Sequence, residues 1–303
     1  MSYYGYPSEL IQNTHYCIEY LRNAGPRIVG FRLQGSDKNL LAETPGEGWK
    51  TAHGEYRLYG GHRLWYAPEQ PDLTGFPDND APLVEPLPNG VELVQAVEKI
   101  TGLRRALRVE LEPEGREVKL THRLENQSPG EMEIAPWAIT MLPPGGTVIL
   151  PQANAPLENE YLPNRNLVLW PYARWNDPRV IVKEDHLLVR GEDRGQLLKI
   201  GYYNPYGWAA YWHAETLFCK RFAVLPGANY PDRGCNLEVY VNSHYAELES
   251  LGPLERVQPG KSVCLLETWE ALPAGRMPED LEEAWLAAAH LCGHLSMEGE
   301  GTR

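Results

Sequence analysis

The stretch Asn236-Leu237-Glu238-Val239-Tyr240-Val241-Asn242-Ser243-His244-Tyr245-Ala246-Glu247-Leu248-Glu249-Ser250-Leu251 decides how this chain folds. Leu237, Val239 and Val241 alternate with Glu238, Tyr240 and Asn242. Beyond Ser243-His244, Ala246 and Leu248 alternate with Tyr245, Glu247 and Glu249. An apolar period of two is that of a half-buried strand, so the stretch predicts a β-hairpin turning at Ser243-His244. A two-residue turn would set Val239 opposite Leu248 on the core face. On the other face Tyr240 would oppose Glu247, and Glu238 would oppose Glu249. Like charges directly across a ladder destabilise it. The carboxylates therefore need a cation, a shared proton or a hydrogen-bonding ligand, unless they stand on a wet face with lysines nearby.

Moving outward, the same alternation recurs. Leu107 to Glu112 and Val118 to Glu125 flank the turn Pro113-Glu114-Gly115, with His122 on the apolar face as a core histidine. Tyr16–Arg22 and Arg27–Leu33 flank Asn23-Ala24-Gly25-Pro26. Further strands are predicted at Pro136–Leu142, Val148–Leu150, Trp208–Trp212, Leu217–Val224 and Lys261–Trp269, and Leu187–Arg190 with Gln196–Tyr203 reads as a hairpin. The 28 Gly and 26 Pro are spread along all 303 residues, which means many turns and short strands. The fold class predicted is all-β, antiparallel, with one C-terminal helix. Residues 1–275 form the β body and 276–303 the helix and tail. In that helix Pro278, Glu279 and Asp280 suit the first turn, Leu281, Trp285, Ala288 and Cys292 form the buried stripe, and Gly293 ends it. Residues 68–88 read as an ordered loop over a sheet, 161–177 as an aromatic loop, and Asn154, Glu158, Asn159 and Glu160 as a polar loop.

The formal net charge of −13 excludes nucleic acid and anionic membrane surfaces as partners. Cys17, Cys219, Cys235, Cys264 and Cys292 are scattered and odd in number, so free thiols in a reducing compartment are expected. Met1 to Pro7 carries neither the basic nor the apolar region of a secretory leader, and the expected location is cytoplasmic. No metal-binding, nucleotide-binding or nucleophilic-serine motif occurs, so no metal and no cofactor are expected.

The densest chemistry lies in Tyr59-Gly60-Gly61-His62-Arg63-Leu64-Trp65-Tyr66-Ala67-Pro68-Glu69. Arginine offers a planar fork of donors and tryptophan a flat apolar face. The pair suits a polar ligand with one apolar side, and a sugar ring is such a ligand. A tight loop with Trp65 in the core is the plainer reading.

Four segments in order resemble the galactose mutarotase-like (aldose 1-epimerase-like) superfamily, in a bacterial branch with a Gly-Gly-His-Arg-Leu-Trp motif. They are Gly25-Pro26-Arg27-Ile28-Val29-Gly30-Phe31, Gly60 to Glu69, Pro136-Trp137-Ala138-Ile139-Thr140, and Glu247-Leu248-Glu249-Ser250-Leu251-Gly252-Pro253. The resemblance spans most of residues 16–270. It implies a β-supersandwich with sugar on a concave sheet face, a late-strand glutamate as general base and a mid-chain histidine as general acid. Glu247 and Glu249 match the base, and Arg63 falls where the family places a substrate-binding arginine. The mid-chain strand carries Trp137 but no histidine, leaving His62 or His213 to stand in as acid. Trp65, Trp137, Glu238 and Tyr240 are then candidate contacts, and Lys220 could meet an anionic group on the sugar or be a surface charge. Two functions follow: an isomerase of aldose anomers or epimers, or a non-catalytic carbohydrate-binding protein. Both take a small-molecule sugar or sugar derivative. Neither the sugar nor the oligomeric state is written in the sequence.

Overall fold

The structure, a computed structural model, describes residues 1–153 and 162–293. The polar loop of Asn154, Glu158, Asn159 and Glu160, Tyr161 of the aromatic loop and the 294–303 tail lie outside the described residues. Two large antiparallel sheets dominate. The first runs, neighbour to neighbour, Ser2–Tyr3, Tyr6–Gln12, Tyr16–Leu21, Arg27–Leu33, His62–Ala67, Met132–Leu142, Ala246–Leu251, Leu237–Val241, Leu198–Tyr202 and Val168–Leu169. The second runs Val180–Val182, His186–Arg190, Thr147–Pro151, Trp208–His213, Thr216–Phe222, Ser262–Pro273, Val118–Asn126, Leu103–Leu111, Gly90–Val94 and Leu83–Leu87. A separate hairpin, Glu43–Thr51 with Gly54–Gly60, covers part of the first sheet.

The two sheets face each other across one apolar layer. Leu198, Ile200, Leu237, Val239, Val241, Ala246 and Leu248 of the first meet Val109, Leu120, Val148, Phe218 and Trp269 of the second. Burying a side chain of this size is worth about 1.5–3 kcal/mol, and this layer is the main store of stability. The 236–251 hairpin takes the predicted register, with Val239 opposite Leu248, Tyr240 opposite Glu247 and Glu238 opposite Glu249. Asn242 and Tyr245 close the turn, Asn242 N–H donating to Tyr245 O at 3.1 Å.

Three expectations change. His186–Arg190 and Leu198–Tyr202 are not a hairpin; they pair in different sheets, and residues 191–197 carry the chain from one to the other. The helix starts later than its charge pattern suggests, at Leu281, because Asp280 accepts hydrogen bonds from the backbone N–H groups of Glu282 and Glu283 and so caps it. Its buried face, Trp285, Ala288 and Cys292, packs on Trp208, Trp212 and Cys219, on the outer face of the second sheet. That packing corrects the thiol expectation: Cys219 and Cys292, 73 residues apart in sequence, form a disulfide, while Cys17, Cys235 and Cys264 stay free. The cysteines therefore no longer argue for a reducing compartment. Among the described residues no helix is long and apolar enough to cross a membrane.

Candidate functional site

Strand alternation selects the site. In His62–Ala67 the inward residues are His62, Leu64 and Tyr66, so Arg63, Trp65 and Ala67 point to the outer face of the first sheet. Trp137 and Ile139, Glu247 and Glu249, Glu238 and Tyr240, and Lys199 point the same way from the next four strands. The ladder register lines them up: Ile139 pairs with both Arg63 and Glu249, and Glu249 pairs with Glu238. Tyr56 and Leu58 of the covering hairpin close over this face beside Trp65 and Trp137.

The facing glutamates have a cation. Lys199 Nζ lies 2.7 Å from Glu238 Oε2 and 2.9 Å from Glu249 Oε2. It also sits 4.5 Å from the Trp137 ring centre and 4.6 Å from that of Trp170, between two aromatic faces. Trp137 Nε1 donates to Glu249 Oε2 at 2.7 Å. Next to this group Arg63 Nη2 donates to Glu247 Oε1 at 2.8 Å, and its guanidinium lies over Trp65 at 4.7 Å. All five charged side chains are buried, Glu249 and Glu238 at 0–1% exposure. Burial alone would drive the Lys199 ammonium towards its neutral form, but the carboxylates of Glu249 and Glu238 outweigh it and hold its pKa above the ordinary value. Burial raises the carboxyl of Glu238 well above the usual range, against the pull of Lys199. Glu247 is raised for the same reason, with Arg63 opposing and Glu249 adding to the shift.

Four polar atoms on this face have no partner although they are buried: Arg63 Nε and Nη1, Glu238 Oε1 and Glu249 Oε1. A buried polar atom left unpaired costs about 1–3 kcal/mol. Unpaired donors and acceptors on the one sheet face that carries Trp65 and Trp137 fit a ligand that both donates and accepts.

Glu69, Asp232 and Tyr172 belong to the surround. Burial raises the Glu69 carboxyl, Lys199 opposes, and Glu249 and Asp232 raise it further; the side chain is open to solvent yet ringed by protein. Tyr172 meets the Tyr240 ring edge-on at 6.5 Å. Asp232 and Arg233 have φ of 50° and 64°, a left-handed conformation costly for residues with a side chain, and Gly234 continues it at 94°.

Three predicted residues lie elsewhere. His62 and Glu249 do not share a pocket. His62 points between the sheets, where its Nδ1 meets Thr140 Oγ1 at 2.9 Å and its Nε2 meets His122 Nε2 at 2.7 Å. Lys220 is neither a surface charge nor a sugar contact. It is fully buried in the same layer, donating to Ala138 O, Thr140 Oγ1 and Leu248 O and lying 3.1 Å from Glu267 Oε1. His213 ends a strand of the second sheet, stacked on Tyr211. Burial lowers its pKa and Lys38 lowers it further. His62, His122 and Glu267 place ligand atoms within 4.8 Å of one another. Lys220 already supplies the positive charge there, and the two imidazoles are at hydrogen-bonding distance, so this donor set does not suit a metal ion.

Sequence reading did not reach Lys199 or Asp232; it placed Trp170 and Tyr172 only in an aromatic loop and Glu69 only in the motif run, none of them as a site residue. One signal was available: Lys199 is a lone lysine between Leu198 and Ile200 in an apolar strand, and the facing glutamates required a cation.

No family model matches the chain, and no curated protein does. Solved structures do. A provisionally assigned aldose 1-epimerase from Escherichia coli K12 superposes with a TM-score of 0.54 at 14% identity, covering 88% of this chain and 99% of its own. A galactose mutarotase-like protein from Lactobacillus casei gives 0.56 at 11%, covering 88% and 100%. A second provisionally assigned aldose 1-epimerase, from Klebsiella pneumoniae, gives 0.56 at 11%, covering 92% and 81%. At these identities the likeness is one of fold: the chain adopts the galactose mutarotase-like β-sandwich.

Proposed function

We propose that the outer face of the first sheet binds a sugar, with Arg63 and Glu249 as its principal polar contacts and Trp65 and Trp137 as apolar ones. One observation carries this reading: buried donors of Arg63 and buried acceptors of Glu238 and Glu249 lack partners on the sheet face that also carries Trp65 and Trp137. A sugar hydroxyl donates and accepts at once, and the C–H face of the ring suits an indole. Glu247 and Tyr240 flank the same place. The epimerase and mutarotase names of the structural neighbours agree with a sugar ligand.

A second reading, interconversion of sugar anomers, is favoured by the raised proton affinity of Glu247 and Glu238 beside Glu249. A carboxyl with raised proton affinity can serve as an acid beside a carboxylate that serves as a base. In that reaction a carboxylate takes the proton of the anomeric hydroxyl while a carboxylic acid protonates the ring oxygen. The ring C–O bond breaks as the carbonyl forms. After rotation the ring closes and both protons return, so nothing is consumed. Glu249 would be the base and Glu247 or Glu238 the acid, in place of the histidine that this face lacks among the described residues.

The test is NMR exchange between α and β anomers over a panel of aldoses and uronates. Acceleration by the protein that Glu249→Gln abolishes supports the isomerase. Saturable binding without acceleration supports a binding protein. Neither binding nor acceleration across the panel would end the sugar reading.

A further inference from the structure

The covering hairpin carries a tryptophan that a single bound sugar ring leaves uncovered. Trp49 is 43% exposed, yet its position is fixed. Its indole stacks on Tyr56 at 4.5 Å with 29° between the planes, and meets Trp65 edge-on at 6.5 Å. Tyr56 is itself held: its hydroxyl oxygen accepts from Trp65 Nε1 at 3.0 Å and from Nη2 of the buried Arg27 guanidinium at 2.5 Å. Arg27 in turn is locked at 2.8 Å to Asp78, in the loop between the strands His62–Ala67 and Leu83–Leu87, the second of which falls inside the stretch expected to be loop. Holding a large apolar ring rigid while part of it faces water forgoes burial, and such a ring is ready-made contact surface at low entropic cost.

The placement gives the surface a direction. Arg63 lies over Trp65 at 4.7 Å, and Trp49 is the next ring out. Arg63, Trp65 and Trp49 therefore form a path from the open polar atoms of the site towards solvent. A ring held by Arg63 would lie beside Trp65, over which the guanidinium sits. A second ring joined to it reaches Trp49.

We infer that the ligand is an oligosaccharide rather than a free monosaccharide, with the residue next to the bound end stacking on Trp49. This inference rests on the sugar reading above, and the two can fail separately.

The experiment compares affinities, by calorimetry or ligand-observed NMR, for glucose, galactose and mannose against maltotriose, cellotriose and β-1,4-galactotriose. It uses the full chain as wild type, Trp49→Ala and Trp49→Phe, with thermal unfolding of each variant as the folding control. One trisaccharide should bind about three- to tenfold more tightly than its own monosaccharide, the gain of one added aromatic contact. Trp49→Ala should erase that gain and leave the monosaccharide within about twofold, while Trp49→Phe, which keeps a planar face, should retain most of it. Monosaccharides that bind as tightly as every trisaccharide overturn the inference and leave the sugar reading standing. A gain that survives in folded Trp49→Ala overturns it too, and so does a Trp49→Ala variant whose only change is in oligomeric state. If no sugar of either length binds the wild type, the sugar reading falls and this inference with it.

Discussion

Two buried polar groups lie back to back in the first sheet, built from neighbouring residues of the same strands. Arg63 and Glu249 face outward; His62 and Ser250, each one residue away, face inward. The inner group is closed. His62, His122, Thr140, Lys220, Ser250, Glu267 and Trp269 satisfy one another, with Trp269 Nε1 donating to Glu267 Oε2 at 2.9 Å and Ser250 Oγ donating to Glu267 Oε1. None of their side-chain polar atoms is left without a partner. The outer group has comparable burial and three ion pairs, but leaves four atoms of Arg63, Glu238 and Glu249 without a partner. Burial and charge are thus poor markers of function, since both groups have them. What separates the groups is whether the hydrogen bonding closes on itself.

Each side of that contrast can be broken. Lys220→Met should cost the most, about 3–5 kcal/mol, because it strands the carboxylate of Glu267 in the layer between the sheets. Denaturant unfolding measures it, and a loss under 1 kcal/mol would mean the inner group is not structural. Next in size, a bound sugar at a hundred times its Kd should raise stability by about 2.7 kcal/mol. The same concentration should do nothing for Glu249→Gln. Unfolding with and without ligand reads both.

Acid should act on the inner group. His62 is held well below the ordinary imidazole value by burial first, then by His122, Lys220, Arg63 and Arg27, and burial lowers His122 against the pull of Glu267. Both are neutral when folded, so the unfolded chain binds more protons once pH falls below its own value of about 6.5. The contribution of these two histidines should be flat above that pH and fall below it, by up to about 1.4 kcal/mol per pH unit for each. His62→Asn should flatten the slope, and a slope unchanged in that variant would place the acid sensitivity elsewhere. The smallest effect belongs to the outer group: without ligand, Glu249→Gln should change stability by less than about 1 kcal/mol, since Lys199 keeps Glu238.

The contrast also explains what the sequence shows and hides. The 236–251 hairpin has a clean two-residue polarity period, so its register and facing glutamates are legible residue by residue. His62-Arg63-Leu64-Trp65-Tyr66-Ala67 has no such period, because all six residues are buried, on both faces. Without a wet side, nothing in that run says which way His62 points, and the expectation that it joins Glu249 fails there. Lys199 is hidden differently. It comes from a strand that is distant in sequence and adjacent in space, and the hairpin reading of residues 187–203 had assigned that strand the wrong neighbour. Asp232 and Glu69 sit on turns and loops, where periodicity carries no information.

Gly60 and Gly61 lie just before that strand, at φ of 93° and 71°. A Cβ on either would fall 2.3 Å from Ala42 O or 2.0 Å from Ile28 O, so neighbouring backbone presses on both sides of this corner. The corner acts as an index mark for everything downstream. Adding or deleting a single codon beyond it would exchange the two lineages of side chains, sending the guanidinium into the closed interior and the imidazole out to the open face. Both groups would be lost in one step, so insertions tolerated in the exposed turn at His53 should be barred here.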